Sequence, residues 1–491
     1  MYDVIIIGAG VIGCAVAREL ARYKLHVLVL EKGSDVSVGT SKANSGIVHA
    51  GYSERPGSLK AKYNVAGQEM FDTISDELNF SFKRCGSLIV SFDEDGMTRL
   101  GDLKKRGEAN GIKSGLEILT QEQVRALEPN ISDTVYGALH ARMGGIVSPY
   151  GMTLAYAENA ASNGVSFCFN CYVENITKKD GLFFISTNHQ DKNEVKARVV
   201  VNAAGLYSDE INNMLSENKM KIIPRSGEYI LLDTTEGQLV KRTIFQLPHK
   251  MGKGVLVSPT LGGVLLLGPT SVEIDEKDDI SVTQAGITEI LEKTALSVKG
   301  IRRDKIITSF TGLRSHLTTD DFVVEEAPDV PGLINLCGIE SPGLTAAPAI
   351  AKEAERLVTF LLEPEENVHF NPVRKKRKAF SEADNAERSQ MIATNADYGK
   401  IVCRCEKVTK AEVLDALRSP LSPQDVDALK RRTRLGMGRC QGGFCHMKVL
   451  NIIAEELKID VTKITKNGGD SQFLMVENKK WLHGGANDAC N

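Results

Sequence analysis

Long apolar runs are absent from this sequence of 491 residues, and so is a large excess of either charge. No stretch reaches the roughly 18 consecutive apolar residues that a membrane-spanning helix requires, so we expect any membrane contact to come through a partner. Lys and Arg number 60 against 63 Asp and Glu, which gives no field that attracts nucleic acid. Aromatic residues make up only 6% and form no stripe interleaved with basic residues. We therefore expect no nucleic-acid partner.

Low-complexity segments, internal repeats and a dense cysteine pattern are lacking as well. Ten cysteines in so long a chain do not form the framework of a small disulfide-rich secreted protein. The early apolar run Val4 to Ile7 has no cationic start, so we interpret it as a buried strand and not as a signal peptide. These features favour a reducing compartment, and we expect a cytoplasmic protein.

The order of apolar segments predicts a doubly wound sheet. A strand at Tyr2 to Ile7 is followed by a glycine turn, an amphipathic helix from about Val11 to Tyr23 and a second strand at Leu25 to Leu30. Strand and helix patterns return in the middle of the chain and again near 333–362. Because a single core stops growing at roughly 250 to 300 residues, the length predicts several domains.

The predicted domains follow from these patterns and from changes in composition. A nucleotide-binding domain is assembled from three separated segments, and two β-rich segments between them form a substrate domain. A charged connector, with the basic run Arg374 to Lys378, leads to a small cysteine-bearing module. The predicted ranges are 1–80, 148–226 and 309–363 for the nucleotide domain, 81–147 and 227–308 for the substrate domain, 364–400 for a linker, 401–457 for the module and 458–491 for a tail.

The first turn carries the pattern G-x-G-x-x-G between a strand and a helix, at Gly8, Gly10 and Gly13. The first glycine permits the tight turn, the second lets the backbone approach a pyrophosphate, and the third lets helix and strand pack. The helix N-terminus stabilises the anion. Glu31 ends the second strand, where an acid accepts hydrogen bonds from ribose hydroxyls. We therefore predict a dinucleotide site, although this turn alone does not separate FAD from NAD.

The segment Gly39 to Tyr52, with the sequence GTSKANSGIVHAGY, separates the two cofactors. It closely resembles the FAD-dependent oxidoreductases of the D-amino-acid oxidase type, particularly glycerol-3-phosphate oxidases and dehydrogenases and L-2-hydroxyglutarate dehydrogenases. Two further family segments follow in the same order, Asn202 to Gly205 and Cys337 to Thr345. The resemblance covers about the first 365 residues. It implies an α/β protein in which a Rossmann-like FAD domain carries an inserted mixed or antiparallel β substrate domain.

The resemblance also implies which residues contact FAD. Thr40 and Ser41 match the pyrophosphate segment, the next residues pass beside the flavin ring, and Val173 matches a position that meets adenine. The last segment matches backbone amides and a helix N-terminus near flavin N1 and O2, where a helix dipole stabilises the negative charge of reduced flavin. The predicted cofactor contacts are Gly8, Gly10, Gly13, Glu31, Lys32, Thr40, Ser41, Asn44, Ser45, Gly46, Val173, Ala204, Gly205, Gly312, Gly338, Gly343, Leu344 and Thr345.

Oxidation of an alcohol at a flavin requires a base beside the ring, and His49 is the best candidate because its pKa range suits proton transfer near neutral pH. It follows the flavin-contacting segment, where the resembled enzymes carry an active-site histidine. Arg314 matches an arginine that the family uses to hold the substrate anion, and a guanidinium suits bidentate capture of carboxylate or phosphate. Lys253 resembles a second cationic contact, and Ser341 is predicted to add a hydroxyl contact. The alternatives are a structural histidine, a surface ion pair and a solvated lysine.

Four cysteines near the C-terminus lie in two close pairs, Cys403 with Cys405 and Cys440 with Cys445. Four thiolates at this spacing fit either a two-iron two-sulfur cluster or a tetrahedral zinc ion. The surrounding residues resemble the bacterioferritin-associated ferredoxin type of domain found at the C-terminus of anaerobic glycerol-3-phosphate dehydrogenase large subunits. The resemblance implies a two-iron two-sulfur cluster in a small helical module, with all four cysteines as ligands.

A further pair, Cys168 and Cys171, imitates a redox C-x-x-C motif. This stretch alternates like a strand, on which residues three apart point to opposite faces. We therefore expect both cysteines to be packing residues.

The predicted function is FAD-dependent oxidation of a small anion, sn-glycerol 3-phosphate, with electrons leaving through the cluster to an acceptor protein or a quinone-linked subunit. The cysteine module favours this substrate, since Arg314 and Lys253 would bind phosphate and carboxylate alike. An L-2-hydroxyglutarate dehydrogenase or an amine oxidase of the same family is the first alternative. A non-catalytic electron-transfer or redox-sensing protein is the second, and His49 and Arg314 argue against it.

Overall fold

The computed structural model describes residues 1–247, 254–375 and 378–475. The chain divides into two units, 1–376 and 377–491. Among the described residues, no helix combines the length and the apolar character needed to cross a membrane.

The strands of the first unit are β1 (Tyr2–Ile7), β2 (Val27–Leu30), β3 (Ile47–Val48), β4 (Phe82–Lys83), β5 (Ser87–Ser91), β6 (Leu116–Thr120), β7 (Gly137–Ala141), β8 (Gly145–Val147), β9 (Ser166–Cys168), β10 (Val173–Lys179), β11 (Leu182–Thr187), β12 (Glu194–Asn202), β13 (Ile222–Leu232), β14 (Thr243–Gln246), β15 (Leu256–Pro259), β16 (Leu265–Gly268), β17 (Val272–Glu273), β18 (Ile306–Leu317), β19 (Val323–Glu326) and β20 (Leu333–Cys337). Its helices are α1 (Val11–Leu20), α2 (Leu59–Leu78), α3 (Glu94–Ala109), α4 (Gln121–Leu127), α5 (Pro149–Ser162), α6 (Ser208–Leu215), α7 (Gln284–Ser297) and α8 (Gly343–Leu362).

The first sheet of this unit carries the glycine turn. Five of its strands are parallel, in the order β9-β2-β1-β12-β20, and β10, β11 and β19 extend it with antiparallel pairs. Ile5 pairs with Leu28 on one side and with Val200 on the other, and all three are fully buried. Continuous apolar strands of this kind are typical of a parallel sheet covered on both faces. The loops after β1 and β12 therefore meet at one edge, the usual place for a ligand in such sheets.

A second, nine-stranded sheet supplies the other wall of the first unit. It follows the order β17-β13-β16-β15-β14-β5-β7-β6, with β18 paired to β13, and only β14 and β5 are parallel neighbours. The predicted fold class, α/β with an additional mixed β sheet, is confirmed. The domain boundaries predicted after 226 and 308 fall inside β13 and β18, because both strands run unbroken along the same sheet.

The second unit surrounds the four cysteines with short helices. Its elements are α9 (Asn385–Thr394), β21 (Ile401–Cys403), β22 (Val408–Thr409), α10 (Lys410–Leu417), α11 (Val426–Thr433) and α12 (His446–Leu457). Helix α10 begins at a capping box, in which the side chains of Thr409 and Glu412 accept from each other's backbone amides. The helices bury Val413, Leu429 and Ile453 in a common core. This core fixes the positions of the cysteine-bearing loops.

The stretches predicted as a linker and a tail contribute to this unit. The backbone amide of the buried Phe380 donates to Glu412 at 2.9 Å, and the Tyr398 hydroxyl donates to Asp415 at 3.0 Å. From the predicted tail, Ile464 is fully buried in the same core. Residues on both sides of 401–457 therefore pack with the module.

Cys168 and Cys171 were predicted to be packing residues that point to opposite faces of a strand. Their burial is as predicted, but their opposite direction is wrong. Both thiols are buried. However, β9 ends at Cys168, and Asn170 adopts a left-handed conformation with φ of 51°. The chain turns back at this point, so the two thiols interact, and burial together with Cys171 raises the pKa of Cys168.

Candidate active site

The glycine turn after β1 has no room for side chains at two of its positions. Gly8 has φ of 104°, and a Cβ atom there would lie 2.5 Å from the carbonyl oxygen of Ala203. A Cβ atom on Gly13 would lie 2.0 Å from the carbonyl oxygen of Gly8, so α1 packs directly on the turn. At the start of α1, the Val11 amide donates to Ser41 Oγ at 2.9 Å. The turn thus presents backbone atoms and a helix N-terminus, the arrangement that binds a pyrophosphate.

Glu31 directly follows β2 and is buried beside this turn. Its carboxylate accepts hydrogen bonds from the amides of Ala9 at 2.7 Å and Gly33 at 2.8 Å. Burial raises the pKa of Glu31, and the two amides oppose this rise. The neighbouring Lys32 is half-exposed, with Nζ 3.5 Å from the ring centre of Tyr207. Glu31 is therefore held where recognition of ribose hydroxyls requires an acid.

The segment predicted to meet adenine lies next to Glu31. The amide of Asn170 donates to the carbonyl oxygen of Gly33 at 2.8 Å, and the amide of Cys171 donates to that of Glu31 at 2.9 Å. Val173 begins β10 two residues later and is buried in the core with residues of β2. The two segments, which are about 140 residues apart in sequence, are thus joined through their backbones.

A cavity of about 580 Å³ extends from the start of α1 to the start of α8. The other predicted cofactor positions Gly8, Gly13, Ala204, Gly338 and Thr345 belong to the adjoining turns and helices. Lys253, predicted as a substrate contact, lies outside the described residues. The cavity is lined by the predicted residues Gly10, Thr40, Ser41, Asn44, Ser45, Gly46, His49, Gly205, Gly312, Arg314, Ser341, Gly343 and Leu344.

His49 is fixed at both its backbone and its ring. Its amide donates to Thr345 Oγ1 at 2.9 Å, and the same hydroxyl donates to the carbonyl oxygen of Ile47 at 3.3 Å. The Nε2 atom lies 3.3 Å from Ser341 Oγ, and the ring centre lies 6.0 Å from that of Phe245. Thr345, predicted as a cofactor contact, therefore holds the histidine segment. An oriented imidazole in a cavity is suited to general base catalysis.

Arg314 lies on β18, and its guanidinium crosses the neighbouring strand at Gly227. A Cβ atom on Gly227 would lie 2.4 Å from Nη2 of Arg314. Nη2 donates to the carbonyl oxygen of Thr270 at 3.1 Å, and Nη1 donates to that of Ser226 at 3.4 Å. Both acceptors are neutral, and in the described part of the chain no carboxylate forms an ion pair with Arg314. Its positive charge therefore remains available to an anion in the cavity.

A buried cluster beside the cavity was missed by the sequence analysis. Lys60 Nζ lies 2.9 Å from Glu340 and 3.3 Å from Asp320, and His316 Nδ1 lies 3.0 Å from Glu340. The side chains of Lys60, Glu340 and His316 are each less than one-tenth exposed. His316, Asp320 and Glu340 are close enough to hold a metal ion, but the Lys60 ammonium already supplies the cation. Glu340 precedes Ser341, so the cluster holds the loop that contacts His49.

Aromatic side chains of the nine-stranded sheet were missed as well. The Tyr229 hydroxyl lies 3.3 Å from Ser45 Oγ, and its ring stacks on Phe310 with centres 4.8 Å apart. Phe245 on β14 approaches His49, as described above. These residues are marked in the sequence only by β-type alternation, which does not show which face of a strand meets the cofactor.

The four cysteines of the second unit lie together, with Cys403 and Cys445 buried and Cys405 exposed. The Cys405 and Cys440 sulfurs are 3.6 Å apart. Two thiolates bound to one tetrahedral metal through bonds of about 2.3 Å would lie roughly 3.8 Å apart. A hydrogen bond with Cys445 lowers the pKa of Cys403. A Cβ atom on Gly438 would lie 2.3 Å from the Cys405 Cβ atom, so the two loops meet only because this residue is glycine. The thiols therefore fit a bound metal cluster.

Comparison with known proteins agrees with both sites. The chain matches the family model of the FAD dependent oxidoreductases (DAO) over residues 3–357 and that of the BFD-like [2Fe-2S] binding domain over residues 401–455. It is 48% identical to a glycerol 3-phosphate dehydrogenase of Caloramator mitchellensis over 96% of this chain and 98% of that protein. It is also 31% identical to a mitochondrial L-2-hydroxyglutarate dehydrogenase of Nematostella vectensis, over 62% of this chain and 69% of that protein.

A solved structure shows the same fold with its cofactor. The FAD-bound, dithionite-reduced L-alpha-glycerophosphate oxidase from Mycoplasma pneumoniae superposes with a TM-score of 0.74 at 32% identity, covering 77% of this chain and 99% of that one. The glycine turn, the buried Glu31 and the long cavity fit FAD. The predictions of FAD, of a two-iron two-sulfur cluster and of the enzyme class are confirmed. The chain therefore belongs to the DAO family of FAD-dependent oxidoreductases and carries a BFD-like [2Fe-2S] domain after its flavin-binding part.

Proposed function

We propose that this protein oxidises sn-glycerol 3-phosphate to dihydroxyacetone phosphate. The observation that carries the proposal is the placement of His49 and Arg314 in the wall of one cavity. His49 is an oriented base, and Arg314 is a cation that bonds neutral carbonyl oxygens and has no carboxylate partner among the described residues. The glycerol 3-phosphate dehydrogenase at 48% identity and the glycerol 3-phosphate oxidase of Mycoplasma pneumoniae at 34% identity support this substrate. A phosphate group needs the cation, and a secondary alcohol needs the base.

The reaction removes a proton from the substrate hydroxyl and a hydride from the carbon that bears it. Bound FAD supplies the hydride acceptor. Without substrate, Ser341 Oγ lies 3.3 Å from His49 Nε2 and orients the imidazole. The substrate hydroxyl takes the place of the serine hydroxyl at Nε2, which has a single lone pair, and His49 Nε2 then accepts the hydroxyl proton. Arg314 binds the phosphate and so places the hydroxyl next to His49. The N-terminus of α8, with Gly343 and Leu344 in the cavity wall, provides a positive dipole end for negative charge that develops there.

The second half of the proposal concerns the route of the electrons. Cys403, Cys405, Cys440 and Cys445 hold the two-iron two-sulfur cluster, whose thiolate ligation is suited to electron transfer. We infer that the cluster passes the electrons to an acceptor protein or a quinone-linked subunit, so that dioxygen is a poor acceptor. The BFD-like domain supports this route, because an iron–sulfur cluster held by thiolates is a redox centre that can accept and pass on electrons.

The test is to mix the purified protein with substrates in the absence of oxygen and to follow flavin absorbance. We expect rapid bleaching by sn-glycerol 3-phosphate and none by L-2-hydroxyglutarate or glycine. His49→Asn should slow bleaching by about 100- to 10 000-fold, the contribution of a general base. The matched control is His26→Asn, which changes a histidine whose side chain is 88% exposed. Rapid bleaching by L-2-hydroxyglutarate alone would overturn the proposed substrate in favour of the activity of the second group of relatives.

A further inference from the structure

Two arginines face each other directly across the paired strands β13 and β18. In this antiparallel register, Arg225 is the partner of Arg314. Residues paired in this way point to the same face of the sheet, and like charges directly opposite each other are destabilising. Both arginines line the cavity. Negative charge close to the two guanidinium groups therefore stabilises the pair.

A glycine in β13 lets the Arg314 guanidinium lie over the strand that carries Arg225. Side chains alternate along a strand, so Arg225, Gly227 and Tyr229 share one face. The guanidinium of Arg314 lies over Gly227, where a Cβ atom would be 2.4 Å from Nη2. Because Gly227 has no side chain, the Arg314 guanidinium can lie over β13, two residues along the strand from Arg225. A side chain at 227 would displace the Arg314 guanidinium from this position.

One carboxylate accompanies the pair. On the other side of Arg225, the register places Glu273 of β17, and its Oε1 accepts from Nε at 3.1 Å and from Nη2 at 2.9 Å. Arg314 bonds neutral carbonyl oxygens. Two guanidinium charges and one carboxylate leave a net positive charge. Each guanidinium has five N–H donors, so both retain donors for a ligand.

We propose that Arg225 acts with Arg314 as a clamp for the phosphate group of the substrate, and that Arg225 is the residue that favours a phosphate over a carboxylate. This inference rests on the proposed function and names the group that the site selects. A phosphate monoester carries a charge of about −1.5 to −2 at pH 7 and has three acceptor oxygens, enough for two guanidinium groups. A carboxylate has two oxygens and one charge, which a single bidentate arginine satisfies. Glu273 is a positioning residue that holds Arg225 at the cavity wall.

The test compares Arg225→Ala and Arg225→Lys with the wild-type holoenzyme. The first readout is the binding of inorganic phosphate and of acetate, measured by the change each causes in the spectrum of the oxidised flavin. The second is KM and kcat for sn-glycerol 3-phosphate from anaerobic flavin reduction. The matched control is Arg302→Ala, which removes an exposed arginine paired with Asp304. The double variant Arg225→Ala/Glu273→Gln removes both charges, so that repulsion by an unpaired Glu273 cannot imitate the loss of the clamp.

We expect Arg225→Ala and the double variant to weaken phosphate binding and to raise KM by about 10- to 100-fold, as for a lost hydrogen-bonded charge, with kcat nearly unchanged. Acetate binding should change much less. Arg225→Lys should fall between the wild type and the alanine variant, because it keeps the charge but loses the fork. Wild-type affinity for sn-glycerol 3-phosphate should rise as the pH passes about 6, where the second proton of a phosphate monoester leaves, and this rise should flatten in Arg225→Ala.

Unchanged phosphate binding in Arg225→Ala, with flavin content and unfolding midpoint equal to those of the wild type, would overturn the clamp. Equal losses for phosphate and acetate would overturn its selectivity. These outcomes differ from failure of the proposed function, which appears when the wild type is not bleached by sn-glycerol 3-phosphate. Should the alanine variant not fold, Arg225→Lys decides, because a binding profile identical to that of the wild type contradicts the need for a fork.

Discussion

Replacing Glu340 by glutamine is expected to destabilise the first unit and to slow reduction of the flavin. The carboxylate lies 2.9 Å from Lys60 Nζ and 3.0 Å from His316 Nδ1, and all three side chains are less than one-tenth exposed. Glutamine leaves the Lys60 ammonium buried beside an uncharged amide. Removal of one partner of a buried ion pair is destabilising. The Asp320 carboxylate at 3.3 Å remains near Lys60, but its side chain is 80% exposed, so solvent screens its charge.

The pKa of Glu340 sets the size of this effect. Burial acts to raise it, but hydrogen bonds from His316 and Lys60 and the charge of Lys60 outweigh burial and lower it from 4.5 to about 2. At about 1.4 kcal/mol per pKa unit, the ionised carboxylate contributes about 3 kcal/mol to the free energy of unfolding at pH 7. Because the pKa is lower in the folded state, this contribution is present above the unfolded pKa and is lost as the pH falls towards 2.

The assay is thermal unfolding of the holoenzyme, followed by flavin fluorescence. For a unit of 376 residues, a loss of about 3 kcal/mol lowers the midpoint by roughly 4 °C. The matched control is Glu365→Gln, which changes an ion pair with Lys24 whose side chains are 78% and 59% exposed, and which should leave the midpoint unchanged. Between pH 7 and pH 4, the stability difference between wild type and Glu340→Gln should shrink by about 1 kcal/mol.

Flavin reduction provides a second readout, because Ser341 follows Glu340 in the chain and its Oγ lies 3.3 Å from His49 Nε2. A loosened loop misplaces this hydroxyl, so we expect a slower reduction step with little change in KM. Two results would refute the reasoning. One is an unfolding midpoint equal to that of the wild type. The other is a stability difference of the same size at pH 4 and pH 7, which would show that the ionised carboxylate is not its source.

Two further predictions concern the support of His49 and the cysteine cluster. Thr345→Val removes the hydroxyl that accepts from the His49 amide at 2.9 Å. It should slow flavin reduction by about 10-fold or more, because the partly buried amide loses this acceptor and the histidine segment loses its anchor. Thr345→Ser should restore the rate in stopped-flow measurements; failure of that rescue would contradict the role. Cys440→Ser should abolish the iron content and the visible absorbance of the cluster while the substrate still bleaches the flavin, with the half-buried Cys85→Ser as control. Full iron content in Cys440→Ser would exclude Cys440 as a ligand.

The first sheet could be predicted from the sequence because its signals are local. The apolar strand, the glycine turn and the following helix are consecutive, and β1 and α1 start at Tyr2 and Val11 as predicted. Helix α1 ends at Leu20 and not at Tyr23, and β2 starts only at Val27. Residues between α1 and β2 form hydrogen bonds with a distant part of the chain; the Lys24 amide, for example, donates to the carbonyl oxygen of Glu365. Apolar periodicity does not report such contacts.

Groups that depend on strand pairing could not be predicted. Arg225 and Arg314 are neighbours only because β13 and β18 pair in one particular register. A shift of one residue would turn Arg225 to the opposite face of the sheet. No local pattern in the sequence fixes that register over so many intervening residues. The same holds for Lys60, His316 and Glu340, which come from a helix, a strand and a loop.

The segment from Cys337 to Thr345 shows why a recurring motif is a better guide to a site than to the role of each residue. From the sequence, this segment was predicted to give backbone contacts with the flavin, and Ser341 was predicted to add a hydroxyl contact. In the structure, Glu340 binds Lys60, Ser341 lies next to His49 Nε2, and Thr345 holds the His49 amide. Each of these three side chains contacts a different group. Ser341 and Thr345 hold His49, and Glu340 holds the loop that carries Ser341. Because the three residues lie within six positions of one another, a shift of one displaces the others. We therefore expect substitutions of these side chains to slow flavin reduction as much as changes to the backbone of the segment.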